Sequence, residues 1–136
     1  MLGPSWMAAA AAASALASAG PVSLDASATR VVIAPTPALA QAGRAPLALM
    51  LSGLSTDRQP GVLYQVAIAG DGPPRSLGYI NFYNAASASA PGFVFPLGVG
   101  FDASRGLTVV VTPAKPPDPQ AHPRIGLVAV VYQPRP

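Results

Sequence analysis

The alternation of large and small side chains is clearest in residues 60–84. Bulky residues recur at every second position, at Val62, Tyr64, Val66 and Ile68. That period of two is typical of a β-strand with one buried face. Residues 70–74 interrupt the pattern, because their two prolines lack a backbone donor and their glycines permit positive φ. A second apolar run follows over residues 77–83, so the sequence predicts a β-hairpin, with Ile80 and Phe82 on the opposite side from Tyr79 and Tyr83.

Strand patterns also occur outside the hairpin, separated by turn signals at fairly regular spacing, over residues 29–34, 46–54, 93–97, 107–112 and 124–133. Pro96 marks an edge strand or a strand end. The last segment is apolar on both faces and is therefore expected at the centre of a sheet. The proline- and glycine-containing residues 35–45 are predicted as loop, and no helix is predicted after residue 20. The pattern predicts an all-β fold, an antiparallel β-sandwich or jelly-roll-like barrel of about seven strands.

The N-terminal segment is a low-complexity alanine tract that sets residues 1–28 apart from a β domain over residues 29–136. Alanine is the best helix former, so a short helix is expected from about Ser5 to Ala17. Two interpretations stay open, a linker or packing helix and a signal-like segment with an A-x-A site at residues 17–19. If residues 1–19 act as a signal peptide, the protein is exported; otherwise its localisation is unknown. The tract is too short to span a bilayer.

The amino-acid composition of the chain excludes several classes of function. Charged residues are only 10% of the 136-residue chain, well below the share in ordinary soluble domains. Either a GC-rich genome, with its bias towards Ala, Gly, Pro and Arg codons, or a surface covered by a partner accounts for this. The eight basic residues are scattered singly, so the net charge of +3 does not predict nucleic-acid binding. The absence of cysteine excludes disulfides, zinc–thiolate sites and cysteine nucleophiles.

The sequence contains few residues of the types that act in catalysis or bind metals. The single histidine, His122, lies in a proline-rich loop with only Asp118 near it in sequence. A Ser/His/Asp set assembled from distant residues has no G-x-S-x-G motif to support it. The five acidic residues are all aspartates at predicted turns, which is a poor source of paired catalytic carboxylates. We therefore predict no catalytic, metal-binding or cofactor-binding residue, and no enzyme activity of the chain by itself.

The aromatic residues are the best candidates for a binding surface. Most belong to the hairpin or to the strand that follows residues 84–92, and the simplest interpretation is that they fill the core. The alternative is that rings at a strand end contact a protein partner. The candidate contacts are Tyr79, Phe82, Tyr83 and Phe93, with Tyr83 favoured because it has the opposite parity to Phe82 and adjoins the loop 84–92.

A series of motifs over residues 29–132 resembles the C-terminal β domain of bacterial tyrosinases and polyphenol oxidases. The matching motifs run in order L-x-L-S-G-L, P-G-V-L-Y-Q-V, L-G-Y-I-N-F-Y, F-V-F-P-L and L-T-V-V-V-T-P, at residues 49–54, 60–66, 77–83, 93–97 and 107–113. The resemblance implies a module that shields a dicopper oxidase site and inserts a side chain into it. Such a copper pair is held by six histidines in that family, and this chain has one. The resemblance therefore implies an accessory module without the copper domain.

Two functions follow as expectations. The first is a non-catalytic β-sandwich module that shields or regulates a dicopper oxidase, or otherwise mediates protein association. The alternative is a structural subunit that self-assembles into an oligomer or filament through β-strand edges and apolar surface. Both predict a protein partner, and neither requires nucleic acid or a membrane span.

Overall fold

The computed structural model describes residues 15–70, 72–83, 92–98 and 101–133. These residues form ten strands and one short helix: β1 (Ala15–Ala19), β2 (Val22–Ser23), β3 (Thr29–Ile33), α1 (Pro37–Ala42), β4 (Leu47–Ser52), β5 (Tyr64–Ala69), β6 (Arg75–Ile80), β7 (Phe93–Pro96), β8 (Leu107–Pro113), β9 (Arg124–Ile125) and β10 (Leu127–Tyr132). The predicted all-β class is confirmed. No helix in the described ranges is long and apolar enough to cross a membrane.

Eight of the strands form two four-stranded antiparallel sheets. Sheet 1 has the order β1-β10-β4-β7 and sheet 2 has the order β3-β8-β5-β6. The short strands β2 and β9 pair with each other. The sheets come into contact along both sides, β1 with β3 and β6 with β7, yet they do not close into a barrel. Of the two architectures that the sequence predicted, the structure therefore has the sandwich.

The core lies between the two sheets and is built from the alternating inward residues of each strand. Sheet 1 contributes Leu47, Leu49 and Leu51 from β4, and sheet 2 contributes Tyr64, Val66 and Ile68 from β5, all nearly or fully buried. These are the two alternating patterns that the sequence shows most plainly. The apolar last strand, β10, lies between β1 and β4 as predicted, and β7 with its Pro96 is an edge strand.

The outer face of sheet 1 carries a second, smaller apolar cluster. Ala48, Ala129 and Val131 are buried there, and Ala15, Met50 and Leu127 pack against them. The register agrees with this placement, because Val131 pairs with Ala48 and Ala129 pairs with Met50.

The expectation that no helix follows residue 20 was wrong. Helix α1 occupies the segment that was predicted as loop because it contains prolines and Gly43. Pro37 is at the start of the helix, where the missing N–H costs nothing, and Gly43 ends it with a φ of 60°. The Thr36 hydroxyl accepts a hydrogen bond from the Leu39 N–H at 3.1 Å, and Leu39 is buried in the core.

The predicted N-terminal helix is wrong at its C-terminal end, and its earlier part lies outside the described residues. Residues 15–19 form the edge strand β1, which pairs with β10. Backbone pairing along an exposed sheet edge, with Ala17 buried in the core, overrides the helix propensity of alanine. The sandwich therefore begins before residue 29, and the A-x-A sequence at residues 17–19 lies within β1.

The hairpin is confirmed with shifted ends. Its second strand, β6, begins at Arg75 and ends at Ile80, and a bulge opposite Val66 and Ala67 shifts its register. The predicted parity holds beyond the strand, since Ile80 and Phe82 are buried whereas Tyr79 and Tyr83 are exposed.

Candidate functional site

The outer face of sheet 2 presents the side chains that alternate with the core residues along its four strands. Cross-strand pairing places three rows of side chains on this face: Val32, Thr108 and Ala69; Arg30, Val110, Ala67 and Ser76; Thr112, Gln65 and Tyr79. Arg30 is the one charged residue among these ten. The Gln65 side-chain amide donates to the Ser76 hydroxyl at 3.2 Å, so part of the polar surface is already paired within the face.

Two large apolar side chains on this face are exposed. Val32 is 68% exposed and Tyr79 is 52% exposed. The solvent-facing side of an antiparallel sheet usually carries polar and charged residues, which keep it hydrated and hinder aggregation. The outer face of sheet 2 instead carries hydroxyl, methyl and aromatic groups, a composition that favours contact with another protein surface.

The predicted contact residues are separated by the fold. Tyr79 lies on the outer face of sheet 2. Tyr83 is 63% exposed just beyond the hairpin, where its N–H donates to the Asn81 side-chain oxygen at 3.1 Å. This local turn holds the backbone at Tyr83 while its ring faces solvent.

Phe82 and Phe93 are placed differently from the two tyrosines. Phe82 is 1% exposed and packs edge-on against Tyr64 with ring centroids 5.5 Å apart. It is a core residue, so its prediction as a partner contact was wrong. Phe93 is half-buried beside the core, stacked on Phe95 at a centroid distance of 6.5 Å. Positions 84–91 of the loop that adjoins Tyr83 lie outside the described residues.

His122 belongs to a polar network that the sequence did not reveal. Its Nδ1–H donates to one carboxylate oxygen of Asp57 at 3.1 Å, and the Arg124 guanidinium donates to the other at 3.0 Å. The proline-rich loop and the turn after β4 are also joined by backbone hydrogen bonds, including Asp57 N–H to the Ala121 carbonyl at 2.7 Å. Asp57 and His122 lie 65 positions apart, and no motif or spacing relates them.

The electrostatics of this network stabilise an ionised carboxylate. The hydrogen bond from Arg124, followed by the one from His122, lowers the pKa of Asp57 below its ordinary value. All three side chains are substantially exposed, so water screens their attraction. The network therefore fastens two loops together more than it creates a reactive centre.

The network is not a nucleophile–base pair. Ser55 is the serine nearest to Asp57 in the sequence. Its hydroxyl accepts a hydrogen bond from Arg124 Nε at 3.3 Å, and among the described residues no hydrogen bond joins it to His122. Within the described ranges, no group of three or more His, Cys, Asp or Glu side chains is arranged to hold a metal ion. The arrangement offers a set of hydrogen bonds that joins two loops, and the imidazole Nε2 makes no hydrogen bond to any of the residues that the structure describes.

The chain matches no protein-family model, and a search of curated proteins found no significant match. The resemblance to tyrosinase C-terminal domains therefore stays a prediction. What the geometry defines is an all-β sandwich with an open, nearly uncharged sheet face.

Proposed function

We propose that the chain is a non-catalytic association module that binds a second copy of itself through the outer face of sheet 2. The observation that supports this proposal is the composition of that face, where one charge is spread among ten residues and Val32 and Tyr79 are exposed. Covering these apolar groups removes them from water, and Arg30, on the edge strand β3, is the one charge on the face that the contact has to accommodate. A two-fold contact between identical faces needs no complementary charge pattern, which suits a face that has almost none.

The face supports association better than the sheet edges do. The two edge strands of sheet 2 carry Arg30 on β3 and Arg75 on β6, and charged residues on edges discourage strand addition. These strands also contact β1 and β7 of the other sheet. Association through the face therefore leaves the sandwich intact, whereas strand addition requires the edges to separate.

Single cysteines test this proposal, because the natural chain has none. Val32→Cys places a thiol on the outer face of sheet 2, and Val94→Cys places one on β7, where Val94 is 46% exposed on the opposite side of the sandwich. We expect the rate of thiol labelling of Val32→Cys to fall as protein concentration rises, while that of Val94→Cys stays constant. Rates that are independent of concentration at both positions contradict the proposal, as does protection of Val94→Cys alone.

A second function, shielding a dicopper oxidase, is favoured by the position of Tyr83. Its ring is 63% exposed, and its backbone is fixed by the Asn81 side chain, so it can enter a partner's cleft without unfolding the hairpin. This agrees with the inserted side chain that the tyrosinase resemblance implies.

The test for shielding is oxidation of a diphenol by a bacterial dicopper oxidase, with and without the purified chain. We expect the unsubstituted chain to inhibit the oxidase and Tyr83→Ala to relieve that inhibition while the stability of the chain is nearly unchanged. Tyr79→Ala is the matched control. Equal inhibition by the unsubstituted and Tyr83→Ala chains, or unfolding of Tyr83→Ala, eliminates Tyr83 as the inserted group.

A further inference from the structure

The apolar cluster on the outer face of sheet 1 is buried although it points away from the core. Ala48 and Ala129 are fully buried, and Val131 is 6% exposed. The described hydrophobic residues that pack against this cluster all belong to sheet 1 itself, namely Ala15, Met50 and Leu127. Among the described residues, no hydrophobic side chain of α1 or of sheet 2 packs on the cluster from above.

The neighbours of Val131 are too small to account for its burial. It pairs with Ala48 on β4 and with Ala15 on β1, whose side chains are single methyl groups. On the outer face of sheet 2, Val110 is 7% exposed, but it pairs with the long side chain of Arg30. Further atoms therefore lie over Val131. Because the burial is that of a single chain, these atoms belong to the same chain and not to a partner.

The N-terminal tract, residues 1–14, is the segment best placed to cover the cluster. It runs directly into Ala15, which itself packs against the cluster from the edge strand β1. The tract contains no charged residue. Besides its alanines it has three large apolar side chains, those of Leu2, Trp6 and Met7. Its composition therefore matches the uncharged surface beside which it enters the sheet.

Two other segments outside the described ranges are longer than two residues, and each fits less well. Residues 84–91 contain only asparagine, alanine, serine and proline, so they have no large apolar side chain to bury. Residues 134–136 include Arg135 and are too few to cross a sheet.

The length of the N-terminal tract is sufficient for this contact. Neighbouring strands lie about 4.8 Å apart, so the outermost strands of a four-stranded sheet are separated by about 14 Å. A segment of this length spans about 21 Å as a helix and more when it is extended. The tract therefore reaches across sheet 1 in either conformation. Ala48 and Ala129 have the shortest side chains of the buried cluster, which leaves room above them for a large side chain.

We propose that the N-terminal tract folds back over the outer face of sheet 1 and covers its apolar cluster, with the ring of Trp6 against Ala48 and Ala129. Burial of a large aromatic ring against methyl groups is favourable because it removes apolar surface from water. The tract closes the outer face of sheet 1, whereas the outer face of sheet 2 stays open. Displacement of the tract exposes a second apolar face, so the position of the tract decides how many faces of the chain are available for association.

The fluorescence of the full chain tests this contact without any substitution, because Trp6 is its one tryptophan. We expect the native chain to emit at a shorter wavelength than the chain in urea and to be quenched only weakly by acrylamide. Met50→Lys, which places a charge beside the buried cluster, should shift the emission to longer wavelength, and Val32→Lys on sheet 2 should leave it unchanged. A native emission equal to that in urea overturns the proposal, as does an emission that Met50→Lys does not alter.

Thiol labelling of Met50→Cys shows which segment covers the face. We expect slow labelling at every protein concentration, and a rate about tenfold higher when Leu2, Trp6 and Met7 are all replaced by serine, because local opening of the tract becomes easier. The same serine substitutions should not change the labelling of Val32→Cys.

Two results of the labelling experiment would overturn the proposal. The first is a rate for Met50→Cys that the serine substitutions leave unchanged. The second is protection of Met50→Cys that appears only as protein concentration rises, which would show that a second copy covers the face. Association through sheet 2 is read separately, because it protects Val32→Cys and does so only at high concentration.

Discussion

At the scale of single residues, Gly78 shows how closely the two sheets approach. Its φ is +153°, and an added Cβ would lie 2.7 Å from the Cε1 atom of Phe95, which belongs to the other sheet. Real Cβ atoms do not come so close to a ring carbon, so the position requires glycine. Gly78 therefore lets Phe95 pack against the core where β6 and β7 meet.

Replacing Gly78 should open this side of the sandwich. We expect Gly78→Ala to lower the free energy of unfolding by about 1–3 kcal/mol, the usual cost of overpacking, with the unfavourable φ adding to it. The measurement is urea denaturation. Gly72→Ala is the control, because an added Cβ there meets nothing within 4 Å. Similar stability of the two variants would show that Phe95 moves aside at little cost.

The charge state of Asp57 contributes to stability through the loop network. Its pKa is lowered in the folded chain by Arg124 first and His122 second, so its contribution is complete above the ordinary aspartate pKa and is lost as the pH falls through the folded value. We expect Asp57→Asn to be less stable than the unsubstituted chain at pH 7, with the difference shrinking below about pH 4.

Denaturation with urea at neutral and acid pH checks this expectation. Asp25→Asn serves as the control, because within the described ranges the Asp25 carboxylate has no ion pair to lose. A stability difference for Asp57→Asn that is the same at both pH values would mean that the network acts through packing and not through charge.

At the scale of elements, the sequence predicted the strands well where one face is buried and the pattern has a period of two. β4, β5 and β8 lie within two residues of their predicted ends because their alternating residues meet the core. The elements that the sequence failed to predict have physical causes. Strand β1 forms only through pairing with β10, far away in the chain, which local propensity cannot show.

Helix α1 and the loop network were missed for a different reason. Pro37 and Gly43 are helix-boundary residues as well as loop residues, and only the capping contact of Thr36 and the burial of Leu39 distinguish the two cases. The pairing of Asp57 with His122 depends on two loops meeting at one end of the sandwich, and nothing in either loop signals the other. The exposed tyrosines, in contrast, followed directly from strand parity.

At the scale of the whole molecule, the fold separates charge from sheet surface. Among the described charged residues, three lie in strands: Arg30, Arg75 and Arg124. The other charged residues of the described part are in loops at the ends of the sandwich. The sheet faces therefore account for much of the low charge content of the sequence. The proposed association uses one of these faces, the outer face of sheet 2.

The most direct test of that association is the molar mass of the unsubstituted chain, measured by light scattering after size-exclusion chromatography over a range of loading concentrations. We predict a mass that rises with concentration from one chain to two, and a Val32→Lys variant that remains at the mass of one chain while Val94→Lys still dimerises. A monomer of the unsubstituted chain at every concentration would contradict self-association through sheet 2.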